Sequence, residues 1–296
     1  MHERIAITGS GGMLGRALTE ELTSRGGQIS PFPGRAALDV ADPESIARAL
    51  DPVAPDVVIN ASGYTDVDGA EADPEAAFRV NRDGAAALAA YCVRRGALLV
   101  HFSTVHVFGG RAVTPYRVDA ETAPVNTYGR SKLEGEERIR ASEAEHLIVR
   151  SSWLFAPFGR NFVRTILERA AREPVIDVVA DQVGRPTCAR ILAEMTGDLI
   201  EEGARGTFHA ANDGACSWDA FAAEIVKTAG RSCRISPRSS AHRGRPAARP
   251  AYGVLDLDET IALIGRPEPW PSAVRACVRE ILATAGLTVE ARRHAG

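Results

Sequence analysis

The chain has 296 residues, 45% apolar and 25% charged, which suits one large α/β domain or a domain with a smaller lobe and excludes a disordered or fibrous protein. With 35 Lys and Arg against 38 Asp and Glu, the formal net charge of -3 argues against a nucleic-acid binder held by bulk charge, and no apolar run is long enough to span a bilayer. Cys92, Cys188, Cys216, Cys233 and Cys277 lie far apart with no C-x-x-C pair, which predicts reduced thiols in a cytoplasmic protein rather than a disulfide framework or zinc site.

The N-terminus begins a strand, Arg4–Thr8, rather than a signal peptide, and the strand ends in glycines. Leu14–Arg25 then follows helical spacing. Further buried-strand patterns are Asp56–Asn60, Ala97–Phe102 and Leu147–Arg150. Between them, Asp73–Arg95 reads as one helix opened by an Asp73 N-cap and Pro74 at its first position. Strands apolar on both faces and separated by helices predict an α/β doubly wound parallel sheet over residues 1–150. Residues 151–296 are expected to form mainly a small C-terminal substrate-binding lobe, with Gly206–Ala210 returning to the sheet as a late strand. Within it, Asn161–Arg172 and Ala273–Ala285 have amphipathic helical spacing, and Arg231–Gly253 reads as a long loop. The arginines of that loop (Arg231, Arg234, Arg238, Arg243, Arg245 and Arg249) read mostly as solvated, although a cationic loop there suits a nucleotide diphosphate.

Between the first strand and first helix, Gly9, Gly12 and Gly15 form G-x-x-G-x-x-G around Met13 and Leu14. Such a turn brings backbone N–H groups and a positive helix end to a pyrophosphate, the signature of a dinucleotide-binding Rossmann fold. An acid that would bond the ribose 2′-hydroxyl is expected about 20 residues on. The corresponding stretch Pro31–Arg35 lacks one and ends in Arg35. Arg35, with Arg16, is a candidate for a 2′-phosphate, which favours NADPH with NADH as the alternative; a role as plain surface arginines is nearly as well supported. Tyr128 and Lys132 stand at i and i+4, so on a helix they share a face. A neighbouring ammonium lowers the pKa of a phenol, which lets such a pair move a proton near neutral pH.

Together with Leu38–Val40, Asn60–Asp68, Val80–Asn81, Ser103–Thr104, Asn126–Glu136, Val149–Phe155, Asp181–Thr187, Ser217–Trp218 and Arg245–Pro250, these motifs resemble the extended short-chain dehydrogenase/reductases, and among them the dTDP-4-dehydrorhamnose reductases. The resemblance implies NADPH-dependent reduction of a dTDP-4-keto-6-deoxyhexose. It implies Tyr128 as general acid, Lys132 as its partner and a ligand of the nicotinamide ribose, and Thr104 as the group polarising the substrate carbonyl. Asp39 and Val40 would flank the adenine, and Ala61, Ser62, Gly63 and Tyr64 would line the cofactor cleft. Trp153 would border the sugar, with the Gln182–Thr187 loop, including Arg185, closing the pocket.

One departure stands out. The family pattern after Ser-Thr is Asp-Tyr-Val-Phe, whereas this chain has Val105-His106-Val107-Phe108. Val105 in place of a carboxylate predicts tolerance of a sugar lacking a hydroxyl near C4, unless Val105 faces the core and a neighbour supplies the contact. His106 and His209 read as structural histidines, Trp218 as a core residue, and no cluster suggests a metal. The expected partner is a nucleotide sugar, with no nucleic acid and no membrane; a homodimer remains open. The alternatives are an epimerase and a non-catalytic NADP-binding regulatory subunit of the methionine adenosyltransferase type. Retention of Thr104, Tyr128 and Lys132 argues for a live enzyme. A 4,6-dehydratase would place an acid pair after Thr104, which Val105-His106 does not.

Overall fold

Alternate residues of the first strand, β1 (Arg4–Thr8), feed two different cores, which is why its apolar run is unbroken. The computed structural model describes residues 3–242 and 244–284. After β1 come α1 (Met13–Ser24), β2 (Gln28–Phe32), α2 (Pro43–Leu50) and β3 (Val57–Asn60). Two short helices, α3 (Gly69–Ala72) and α4 (Pro74–Phe78), lead into α5 (Gly84–Arg95), β4 (Leu98–Thr104), α6 (Thr127–Arg140) and β5 (His146–Ser151). Asp73 does cap α4, accepting from the Ala76 N–H at 3.0 Å, with Pro74 at the first position. The segment Asp73–Arg95 is not one regular helix, however. A π-helical turn, Arg79–Asp83, joins α4 to α5 and presents Asn81 inward, fully buried.

Beyond β5 the chain forms β6 (Leu154–Phe155), α7 (Phe162–Ala170), β7 (Val175–Val179), β8 (Val183–Gly184), β9 (Thr187–Cys188) and α8 (Ala189–Glu201). Then follow β10 (Gly206–His209), β11 (Cys216–Ser217), α9 (Trp218–Thr228), β12 (Arg234–Arg238), β13 (Tyr252–Gly253), α10 (Asp258–Ile264) and α11 (Trp270–Thr284). The main sheet has six parallel strands in the order β10-β5-β4-β3-β1-β2. Ile5, Ile7, Val57, Ile59, Val100 and Val149 face α1 and α8, while Ala6, Val58, Leu99 and Ile148 face α2, α5 and α6. The strand order reverses beside β1, so the C-terminal ends of β1 and β3 open a cleft at the switch point.

The late strand expected at Gly206–Ala210 is β10, parallel to β5. With α8 packed beside α1, the second half of the chain therefore completes the sheet domain as well as building the lobe. In the lobe, α7, α9 and α11 enclose a separate core around Phe221, Ile166 and Val274. The Arg231–Gly253 stretch is not simply a loop. Its Arg234–Arg238 segment is β12, paired in parallel with β7 in a register that sets Ile235 opposite Ile176. Arg243 and Ala285, named in the sequence reading, lie outside the described residues.

Candidate active site

The glycine loop closes onto the strand switch. Gly9 has φ +65°, and a Cβ there would stand 2.8 Å from the Ala61 carbonyl carbon beyond β3. A Cβ on Gly15 would stand 2.2 Å from the Gly9 carbonyl oxygen, so only glycine lets α1 start this close to its own strand. No side chain caps α1, whose N-cap is Gly12. Its first-turn N–H groups open on a cavity of about 760 Å³ lined by Gly12, Met13 and Leu14. Beyond them, Ala61, Ser62, Gly63 and Tyr64 continue the same wall. A cradle that a Cβ would fill and an uncapped helix start fit a dinucleotide pyrophosphate.

The opposite wall belongs to β4 and α6. Asn126 caps α6, its Oδ1 accepting from the Gly129 N–H at 2.7 Å. Glu71 supports the same turn, accepting from the Thr127 N–H at 2.7 Å and the Thr127 hydroxyl at 2.8 Å. Asn81, delivered by the π turn, donates to Ser131 Oγ at 2.9 Å and to the Tyr64 carbonyl at 3.0 Å, and accepts from the Tyr64 N–H at 2.9 Å. The cofactor-side loop and the helix of Tyr128 and Lys132 are thus pinned through one buried amide.

Thr104, Tyr128 and Lys132 all line the cavity. Thr104 Oγ1 accepts from the His106 N–H at 3.2 Å, and its hydroxyl acts on the Tyr128 phenol. Burial pushes the Tyr128 phenol above its ordinary value, partly offset by the bond from Thr104. The lowering expected from Lys132 does not prevail: in this pocket desolvation of the phenolate wins, and the phenol stays protonated.

Lys132 ends a buried ladder. The Ser62 N–H at 3.2 Å and the Thr8 hydroxyl at 2.9 Å both donate to Asn60 Oδ1, which leaves Asn60 Nδ2 facing His101 Nδ1 at 3.1 Å. His101 Nδ1 is therefore an acceptor, and Nε2 carries the hydrogen. That Nε2 lies 3.1 Å from Lys132 Nζ, a contact that becomes a hydrogen bond when Lys132 is a neutral amine. Burial lowers Lys132 to about 8, opposed by Glu136 one turn along. Burial and the Lys132 charge hold His101 well below the usual histidine range. Hydrogen-bond polarity and desolvation both ease proton release from Lys132.

Trp153 lines the far side of the cavity with φ +48°, a left-handed conformation that costs energy for a bulky residue and clusters at ligand sites. Its ring stacks on Trp218 at 3.7 Å, with the planes 14° apart. Trp218 is both an aromatic core partner of Phe162 and a cavity wall. Gln182 lines this cavity and an adjoining one of about 190 Å³ bounded by Phe162, Trp218 and Arg245.

A family model described as "RmlD substrate binding domain" matches residues 3–283. The chain belongs to this family. It is 38% identical over 297 residues to the dTDP-4-dehydrorhamnose reductase of Burkholderia thailandensis, covering 94% of this chain and 99% of that one. It is 39% identical over 291 residues to a probable dTDP-4,6-dihydroxy-2-methyloxan-3-one 4-ketoreductase of Streptomyces antibioticus, covering 95% of this chain and 96% of that one. The structure of the dTDP-4-dehydrorhamnose reductase from Bacillus anthracis in complex with NADP superimposes with a TM-score of 0.91 at 35% identity, covering 95% of this chain and 100% of that one. This member of the family is therefore an NAD(P)H-dependent oxidoreductase acting on a CH-OH/C=O group.

Several expected site residues stand elsewhere in this RmlD-family chain. Arg185 does not line the cavity; its guanidinium donates to the Leu255 carbonyl at 2.8 Å and pairs with Asp213 at 3.4 Å, so it braces the lobe. Arg35 and Asp39 also lie off the cavity and are joined, Arg35 Nε to Asp39 Oδ2 at 2.8 Å. Asp39 therefore serves as the carboxylate partner of Arg35. Arg79, which sequence spacing gave no reason to notice, binds the same oxygen at 2.7 Å. Val40 is buried in the sheet core. Arg16 is drawn to Glu20 and lies over the Phe158 ring. Val105 does border the cavity, but it is 2% exposed and packs mostly with Val107, Phe108 and Leu255. Arg249 is not solvated: it pairs bidentately with Asp68 at 2.5 and 2.8 Å and, lining the cavity, ties the segment 247–249 to the start of α3. Among the described residues no cluster could hold a metal ion, and no helix is long and apolar enough to cross a membrane.

Proposed function

We propose that this chain uses NADPH to reduce the ketone of a dTDP-linked 4-keto-6-deoxyhexose, dTDP-4-dehydrorhamnose or a related deoxysugar, to the 4-hydroxy sugar. The observation that carries the reading is the placing of Thr104, Tyr128 and Lys132 on one wall of a cavity whose far end is the glycine cradle. NADPH, when bound, supplies the hydride, held by the α1 N-terminus, by the Ala61–Tyr64 loop and by Lys132 at its ribose. Thr104 donates to the ketone oxygen, and Tyr128 passes it the proton that completes the alcohol. Lys132 restores that proton. Residues after 150 supply most of the substrate wall: Trp153 and Gln182 border the sugar. The adjoining cavity offers Phe162 and Trp218 to a planar base, with arginines nearby for the diphosphate. The free cysteines suit a reducing cytoplasm.

The direct test is NADPH consumption across a panel of nucleotide 4-keto sugars. Stoichiometric consumption with a dTDP-4-keto-6-deoxyhexose is expected; conversion without net consumption would make the protein an epimerase instead. Because Lys132 sits at about 8, kcat/KM for reduction is expected to fall as pH rises through that value, where the ammonium that resupplies Tyr128 is lost. A flat alkaline limb would remove Lys132 from proton supply. For the cofactor, Arg35→Ala should weaken NADPH by about 1–3 kcal/mol more than NADH, through loss of a charge-assisted bond to the 2′-phosphate. Equal effects in a cofactor titration would place Arg35 outside the 2′ site.

A further inference from the structure

We infer that His106 recognises the substrate: its Nε2–H donates to the hydroxyl on the sugar carbon next to the reacting ketone. The inference rests on the reductase reading and deepens it. His106 occupies the middle of a 3-10 turn, Val105–Val107, that begins at Thr104. The turn that carries the carbonyl-polarising hydroxyl therefore also carries this imidazole. The ring lines the cavity and meets the Tyr128 ring edge-on, with centroids 5.4 Å apart.

The polarity of the ring follows from its neighbours. Asn126 Oδ1 is engaged by the Gly129 N–H, and Asn126 Nδ2 donates to the Ala248 carbonyl at 2.7 Å. A carbonyl on that side identifies the amide nitrogen. The same Nδ2 faces His106 Nδ1 at 2.9 Å, so Nδ1 accepts and Nε2 carries the hydrogen. Burial and the Arg249 guanidinium hold the imidazole down at about 4, opposed by the Asn126 bond, so it remains neutral. No described residue accepts from Nε2, and that atom is not sealed in the core. A neutral donor of fixed direction thus fronts the cavity without a protein partner.

The chemistry of the substrate selects the oxygen. Thr104 and Tyr128 converge on the ketone oxygen, so a donor flanking both reaches a group on an adjacent ring carbon. In a 4-keto-6-deoxyhexose those neighbours are C3, which bears a hydroxyl, and C5, which bears the methyl. Only C3 offers an acceptor of its own. The name 4,6-dihydroxy-2-methyloxan-3-one, carried by the Streptomyces antibioticus relative, likewise places a hydroxyl beside the ketone. His106 is then the neighbour that serves the sugar while Val105 packs inward, and no hydroxyl near C4 is stranded. An ammonium at C3 has no lone pair to accept and is disfavoured by the same donor.

The test compares kcat/KM for a dTDP-4-keto-6-deoxyhexose and its 3-deoxy counterpart in the unmodified enzyme, His106→Phe and His106→Gln. His106→Phe is expected to lower kcat/KM for the hydroxylated sugar roughly tenfold, mainly through KM, with a several-fold smaller loss on the 3-deoxy sugar. His106→Gln, which keeps a donor, should recover part of the loss. NADPH affinity, measured by titration, should be retained in both variants and reports that the fold is intact. Equal losses on the two sugars, or no recovery with Gln when NADPH still binds, would overturn the role of His106 while leaving the reductase reading in place. Failure of the unmodified enzyme to reduce either sugar would overturn both.

Discussion

Tyr128→Phe is expected to lower turnover by roughly a hundredfold or more, the scale on which a positioned general acid acts. The substitution removes one hydroxyl and keeps the ring, so the edge-on packing with His106 and the capped first turn of α6 survive. What is lost is the buried phenol beside Thr104 on the cavity wall, held protonated by its surroundings. Reduction needs that state: the alcohol forms only when a proton reaches the oxygen. NADPH binding should persist, because the glycine cradle and Lys132 are untouched. The decisive measurement is single-turnover reduction with saturating NADPH. A variant that reduces substrate at the unmodified rate would show that another group, or water, protonates the oxygen.

Arg150→Met is expected to cost about 3–5 kcal/mol of folding stability, because it strands a buried carboxylate. Glu136 is 0% exposed and receives Arg150 Nε at 2.9 Å and Nη2 at 2.7 Å. Arg150 also donates to the Val118 carbonyl at 3.0 Å, tying β5 to the segment that leads into α6. Burial alone would raise the Glu136 carboxyl, yet the bonds from Arg150, with Arg140 assisting, hold it below the usual range. A carboxylate depressed in this way contributes stability above its unfolded pKa and loses it as pH falls through the folded value. Without Arg150 the Glu136 pKa should rise, so the variant should lose stability most at neutral pH and converge on the parent in acid. Urea unfolding at neutral and acid pH reads both effects. A loss below about 1 kcal/mol at neutral pH would mean that Arg140 suffices as partner, against the usual cost of breaking a buried pair. Replacing Glu136 as well, by an apolar residue of similar size, should recover much of the loss.

Local rules made parts of this molecule legible without coordinates. The apolar run Arg4–Thr8 followed by Gly9, Gly12 and Gly15 is a strand, a tight turn and a helix start because each depends on residues only a few positions apart. Tyr128 and Lys132 share a wall because helical spacing places i and i+4 together. Gly206–His209 reads as a strand for the same local reason, although its partner β5 lies far back in the sequence.

Tertiary structure decided what depends on distant partners. Whether Arg249 is solvated turns on Asp68, 181 residues away, and neither position betrays the other. The strand Arg234–Arg238 hides among arginines because it needs β7 to complete it. The π turn at Arg79–Asp83 interrupts a region whose spacing is helical throughout, and only its buried Asn81 shows what the irregularity accomplishes. Arg185, Val105 and Asp39 sit within motifs of the family, yet their side chains are claimed by Leu255, the core and two arginines respectively. The states of Lys132 and His106 are likewise unreadable from composition. Each depends on burial and on an amide, Asn60 or Asn126, whose nitrogen meets a histidine from a distant segment, His101 or His106. Periodicity and turn chemistry are short-range and written in consecutive residues; hydrogen-bond polarity, burial and charge pairing are properties of groups that meet only after the chain has folded.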